Sequence, residues 1–140
     1  METVTASWEN AYHQLQLFAR KVNPPVDHPQ LWTNLCNLRG RELKTLERGR
    51  PFIVQGVLGD RVVLSPVVSG KQRTIRRQTL QCAFSALVDR RELTGLEIAE
   101  EFSPFNAVYV AALLAALPDV AACIKPIRLI FMGHQLFYLE

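Results

Sequence analysis

The spacing of apolar residues changes three times along this chain of 140 residues, and these changes constrain the fold more than any motif does. Up to Gly40 the period is helical. Trp8, Ala11, Tyr12, Leu15, Phe18, Ala19 and Val22 form the stripe of an amphipathic helix. Ser7 suits its N-cap, and Asn23-Pro24-Pro25 stops it, because a proline excludes the α region from the residue before it. A second, shorter helix follows. Asp27 can cap it, Pro29 suits its first turn, Leu31, Leu35 and Leu38 form its stripe, and Gly40 stands at C′.

From Arg41 the apolar spacing becomes that of strands. Glu42–Leu46, Pro51–Leu58 and Arg61–Val68 read as three strands of an antiparallel meander. Gly59-Asp60 supplies a two-residue turn between the second and third, with a glycine that tolerates positive φ. Pro66 places its strand at an edge or ends it there, and Ser69-Gly70-Lys71 reads as a further turn. Helical spacing returns from Ile75, with Leu80, Ala83, Phe84 and Leu87 on one face. Thr94-Gly95-Leu96-Glu97 is a capping box, in which the threonine hydroxyl and the glutamate three residues on satisfy each other's free amides. Ser103-Pro104 starts the next helix, Phe105 to Leu117, which holds no charged residue and is expected in the core. The tail offers two apolar β segments, Ile127–Met132 and Gln135–Leu139, with a hairpin turn at Gly133-His134. The expected fold is one α+β domain: a helical part over 1–40, a basic β-meander over 41–74, three helices over 75–118 and an apolar β tail over 119–140.

Charge follows the same boundaries. Between Arg39 and Arg77 ten basic residues face three acids, a local net of +7, whereas the whole chain carries +3. A field of this sign attracts phosphates or an acidic partner. No apolar run reaches the ~18–20 residues of a membrane span, and Met1-Glu2-Thr3 lacks the basic-then-apolar layout of a secretory signal. The three cysteines, Cys36, Cys82 and Cys123, are far apart and odd in number. They give neither a disulfide framework nor a metal knuckle, and are expected as buried thiols in a reducing cytoplasm.

Three kinds of chemistry compete for the basic segment. The first is nucleic-acid binding. Arg48 and Arg50 flank the Gly49 turn, and Lys71, Arg73, Arg76 and Arg77 lie where a strand passes into a helix. If these sheet ends are adjacent they make one basic rim, and counterion release makes such a rim effective on phosphates of any sequence. Phe52 is the only aromatic in the segment and has a core pattern, so a stacking platform is not expected there. The second is an interaction subunit, in which the basic face docks an acidic protein and the apolar tail pairs two copies into a homodimer. The third is a metal-dependent nuclease. Glu42-Leu43-Lys44 is an E-x-K tripeptide on a strand, and Asp27 precedes it by the spacing of a D…ExK site.

Two other classes fit poorly. A helix-turn-helix would present Glu97, Glu100 and Glu101 to phosphates. The histidines have no ligand partners at metal spacing beyond Asp27 beside His28, and no P-loop, GxGxxG or GxSxG occurs. No cofactor is expected.

The string Leu46 to Val54, then Arg73-Thr74-Ile75-Arg76-Arg77, then Val108 to Leu114, resembles small, poorly characterised bacterial α+β domains that occur alone or beside restriction and defence proteins. The resemblance covers about residues 43–118. It implies a nucleic-acid-associated accessory role and carries over no catalytic residue. The leading expectation is therefore a non-enzymatic module that binds phosphate backbone through Arg48, Arg50, Lys71, Arg73, Arg76 and Arg77.

Overall fold

A computed structural model describes residues 28–133. The helix expected over Trp8–Val22, the residue Asp27 and the β segment at 135–139 lie outside them. The order of elements is α1 (Pro29–Cys36), β1 (Glu42–Lys44), β2 (Pro51–Val57), β3 (Arg61–Pro66), β4 (Arg73–Arg76), α2 (Arg77–Arg90), β5 (Glu92–Thr94), α3 (Gly95–Glu101), α4 (Ala107–Ala115), β6 (Val120–Cys123) and β7 (Arg128–Phe131). The α+β class holds, with four helices among the described residues and two antiparallel sheets.

The meander has four strands, in the order β1-β2-β3-β4. Its strands are shorter than the sequence suggests at β1 and β3, and it gains β4 from a stretch read as the approach to a helix. Ile75 belongs to this added strand and is 2% exposed. The period-2 pattern puts Phe52 and Val54 of β2, Val62 and Leu64 of β3 and Ile75 of β4 on the inner face, all buried. Glu42, Lys44, Arg61, Thr74 and Arg76 lie on the outer face. Gly59-Asp60 does form the two-residue turn, closed by Leu58 N–H donating to the Arg61 carbonyl at 2.8 Å. Its glycine does not use the left-handed region, which in this sheet is occupied by Gly49 and Gly70 in the other two turns.

The second sheet has the order β5-β7-β6. Strand β7 is thus the central strand among the described residues, with a neighbour on each side. The upstream strand β6 forms the hairpin with β7, in the register Val120↔Phe131 to Cys123↔Arg128. The brief β5 completes the sheet because α2 ends on Arg91 at φ 72, which turns the chain back beside β7. The Arg91 carbonyl accepts a hydrogen bond from Phe131 N–H at 2.9 Å.

Helices α2 and α4 bridge the two sheets. Helix α2 packs on β3 and β4 and also on β5 and β7, while α4 packs on β1, β6 and β7. Helix α4 is apolar all round because it is central: Val110 to Leu114 are all buried. The capping box of α3 forms as expected, with Glu97 N–H donating to Thr94 Oγ1 at 3.1 Å and Thr94 N–H donating to Glu97 Oε1 at 2.9 Å. Thr94→Ala should therefore cost about 1 kcal/mol in a urea titration, with no change in the slope of the transition.

Two cysteines depart from expectation. Cys36 and Cys123 are exposed, on the outer side of α1 and on strand β6, and Cys82 is half-buried. Beside Cys36, Leu35 points to the core from the other side of the helix, whereas the neighbours of Cys123, Ala122 and Ile124, are themselves exposed.

Candidate phosphate-binding cleft

The antiparallel register decides where the basic residues go. Each strand reverses the last, so the β1–β2 and β3–β4 turns lie at one end of the sheet. The β2–β3 turn and the start of α2 lie at the other. Arg48, Arg50, Lys71 and Arg73 fall at the first end, and Arg76 and Arg77 at the second, beside Arg61. The single rim of six is two separate clusters.

Two of the six are committed to the fold. Arg73 donates from Nη1 to Asn106 Oδ1 at 3.0 Å and to the Phe105 carbonyl at 3.5 Å, and its guanidinium carbon lies 5.1 Å from the centroid of the Tyr109 ring. It ties β4 to the start of α4. Arg77 donates to the Gly59 carbonyl at 3.0 Å and stacks over Trp32, 4.6 Å from its centroid. Trp32 in turn donates from Nε1 to the Leu58 carbonyl at 2.9 Å. That cluster joins α1, the β2–β3 turn and α2. Arg48, Arg50, Lys71 and Arg76 are exposed, and their side chains make no hydrogen bond or ion pair among the described residues.

At the second end lies a cleft of about 770 Å³, lined by Gly59, Asp60, Arg61, Thr74, Arg76, Arg77, Gln78, Gln81 and Cys82. Its volume is in the range of small-ligand sites. Arg61 and Arg76 are direct cross-strand partners, so both project from the outer face at the lip of the cleft. Like charges in this position repel and destabilise a sheet, unless an anion sits between them. The one local counter-charge is Asp60, 3.6 Å from Arg61, with both side chains largely in solvent. Such a pair is worth little and yields readily to a better anion. From Arg61 to Val88 the chain has no acidic residue at all.

The cleft offers no nucleophile of note. Burial pushes the Cys82 thiol up from its ordinary value, which keeps it protonated and unreactive. Glu42 and Lys44 are exposed on β1, at the far edge of the sheet from β4, and no group of three metal-ligating side chains gathers among the described residues.

Sequence reasoning missed two contributors. Arg61 was counted in the basic block but not singled out, because its pairing with Arg76 exists only once β4 is recognised as a strand. Phe105, expected as the first residue of a core helix, precedes α4 and is 86% exposed. The Arg73–Asn106 bond brings it to the basic sheet end across 33 positions of chain. Comparison with family models, curated proteins and solved structures returns no match for the chain, so the reading of this cleft rests on its own geometry.

Proposed function

We propose that this domain is a non-enzymatic nucleic-acid-associated module that grips phosphate backbone at the cleft between the meander and α2. The observation that carries this reading is the Arg61–Arg76 pair. Two guanidiniums are held opposite each other on adjacent strands, at the lip of a concave surface, where the fold gains nothing from their proximity. A phosphate oxygen is the acceptor that two such forks suit. Arg48, Arg50 and Lys71 add a second, separate basic contact. Arg73 and Arg77 hold the surfaces in place and contribute mainly field.

Binding of this kind is positioning rather than base reading, and it releases counterions. Titration of a fluorescent oligonucleotide at about 50 and 200 mM salt should show affinity falling at least tenfold over that interval. Absence of binding at the lower salt would sink the proposal and favour the alternative in which the same face docks an acidic protein.

A further inference from the structure

The partner's strandedness can be taken further, on the basis of the reading above. Strand β4 is the outer edge of its sheet, and its exposed charges are both positive, Arg73 and Arg76. The cleft reaches along this edge to Thr74, the residue next to Arg73. Arg73 and Arg76 are three residues apart on the strand, about 10 Å, and so project to opposite faces: Arg76 beside Arg61 on the outer face, Arg73 on the side of Ile75, with the open β4 edge between them. Beyond Arg73, joined to its guanidinium by a backbone carbonyl contact, stands Phe105 with its ring in solvent.

A lone exposed phenylalanine is ordinary on a protein surface; this one is set apart by its seat beside the guanidinium of Arg73, next to the basic edge. The partner that matches a ring beyond an open sheet edge flanked by cations is a polyanion carrying flat faces of its own. A duplex hides those faces in its stack; a single strand presents them. We infer that a single strand of nucleic acid passes over the open β4 edge, with a phosphate between Arg61 and Arg76 on the outer face and a base stacked on Phe105. Arg73 is a positioning residue in this arrangement: it fixes the loop that carries the ring.

The test uses fluorescence anisotropy on the full chain, with an oligothymidylate of about twelve nucleotides and a hairpin duplex of similar charge as probes. The single strand should bind more tightly. Phe105→Ala should weaken it about tenfold or more, Phe105→Leu should behave like the alanine variant, and Phe105→Trp should retain affinity, since the requirement is for a π-face. Duplex affinity should be the same in all four proteins. Phe105 is solvent-exposed, so the variants should keep the parent's melting temperature. Equal single-strand affinity in Phe105→Ala and the parent, or preference for the duplex, would overturn this inference and leave phosphate binding at the cleft standing. If neither probe binds, both readings fall together. Tighter binding of polyglutamate than of either probe would reassign the surface to an acidic protein.

Discussion

Replacing Phe52 by alanine should lower the unfolding free energy by about 3–5 kcal/mol. Phe52 is fully buried at the centre of the inner sheet face. Its ring meets Tyr109 edge-on, with centroids 5.2 Å apart, and Tyr109 carries the Arg73 guanidinium on its own face. Losing the ring therefore removes the transfer free energy of a large side chain and leaves a cavity. It also loosens the stack that locks β4 to α4. Domains of this size have a total stability of about 5–15 kcal/mol, so the variant should sit near the edge of folding. Urea denaturation followed by circular dichroism measures the loss. A value below about 1.5 kcal/mol would show that Tyr109 and α4 collapse into the space, which the fixed Arg73–Asn106 bond opposes.

The same stack shows why part of this fold was legible in the sequence and part was not. Local chemistry was legible. The Thr94–Glu97 capping box, the Gly59-Asp60 turn, the chargeless central helix and the alternation in β2 and β3 all depend on residues a few positions apart. Features set by distant partners were not. Strand β4 has one buried residue, Ile75, in four, so it has no period of its own and exists by pairing with β3. Strand β5 is three residues long and owes its place to β7, far along the chain. Charge was visible by sign but not by employment. Arg73 and Arg77 look like their neighbour Arg76 in sequence, yet their aromatic seats, Tyr109 and Trp32, lie on other helices. Phe105 escaped for the converse reason: an apolar residue before a helix looks like core until the backbone turns it outward.

Truncating both Arg61 and Arg76 to alanine should weaken oligonucleotide binding by about 100-fold at low salt, counting each lost charge-assisted hydrogen bond at about 1.5 kcal/mol. The slope of log affinity against log salt should become shallower by about one, because the two guanidiniums share a single phosphate. Stability should move the other way. Removing a like-charged cross-strand pair relieves repulsion, so the double variant should be as stable as the parent or more so, by up to about 1 kcal/mol. Asp60→Asn should release Arg61 from its 3.6 Å ion pair and strengthen binding a few-fold. Arg77→Ala provides the contrast. It loses the seat on Trp32 and the bond to the Gly59 carbonyl, so it should cost about 1–2 kcal/mol of stability and change affinity by less than tenfold. A residue kept for the fold and a residue kept for a ligand thus give opposite signs in the same pair of measurements. The second kind is tolerated at a cost to the free protein that its ligand offsets. If the double variant lost stability and kept its affinity, Arg61 and Arg76 would belong to the structural class with Arg77, and the cleft would have no claim on phosphate.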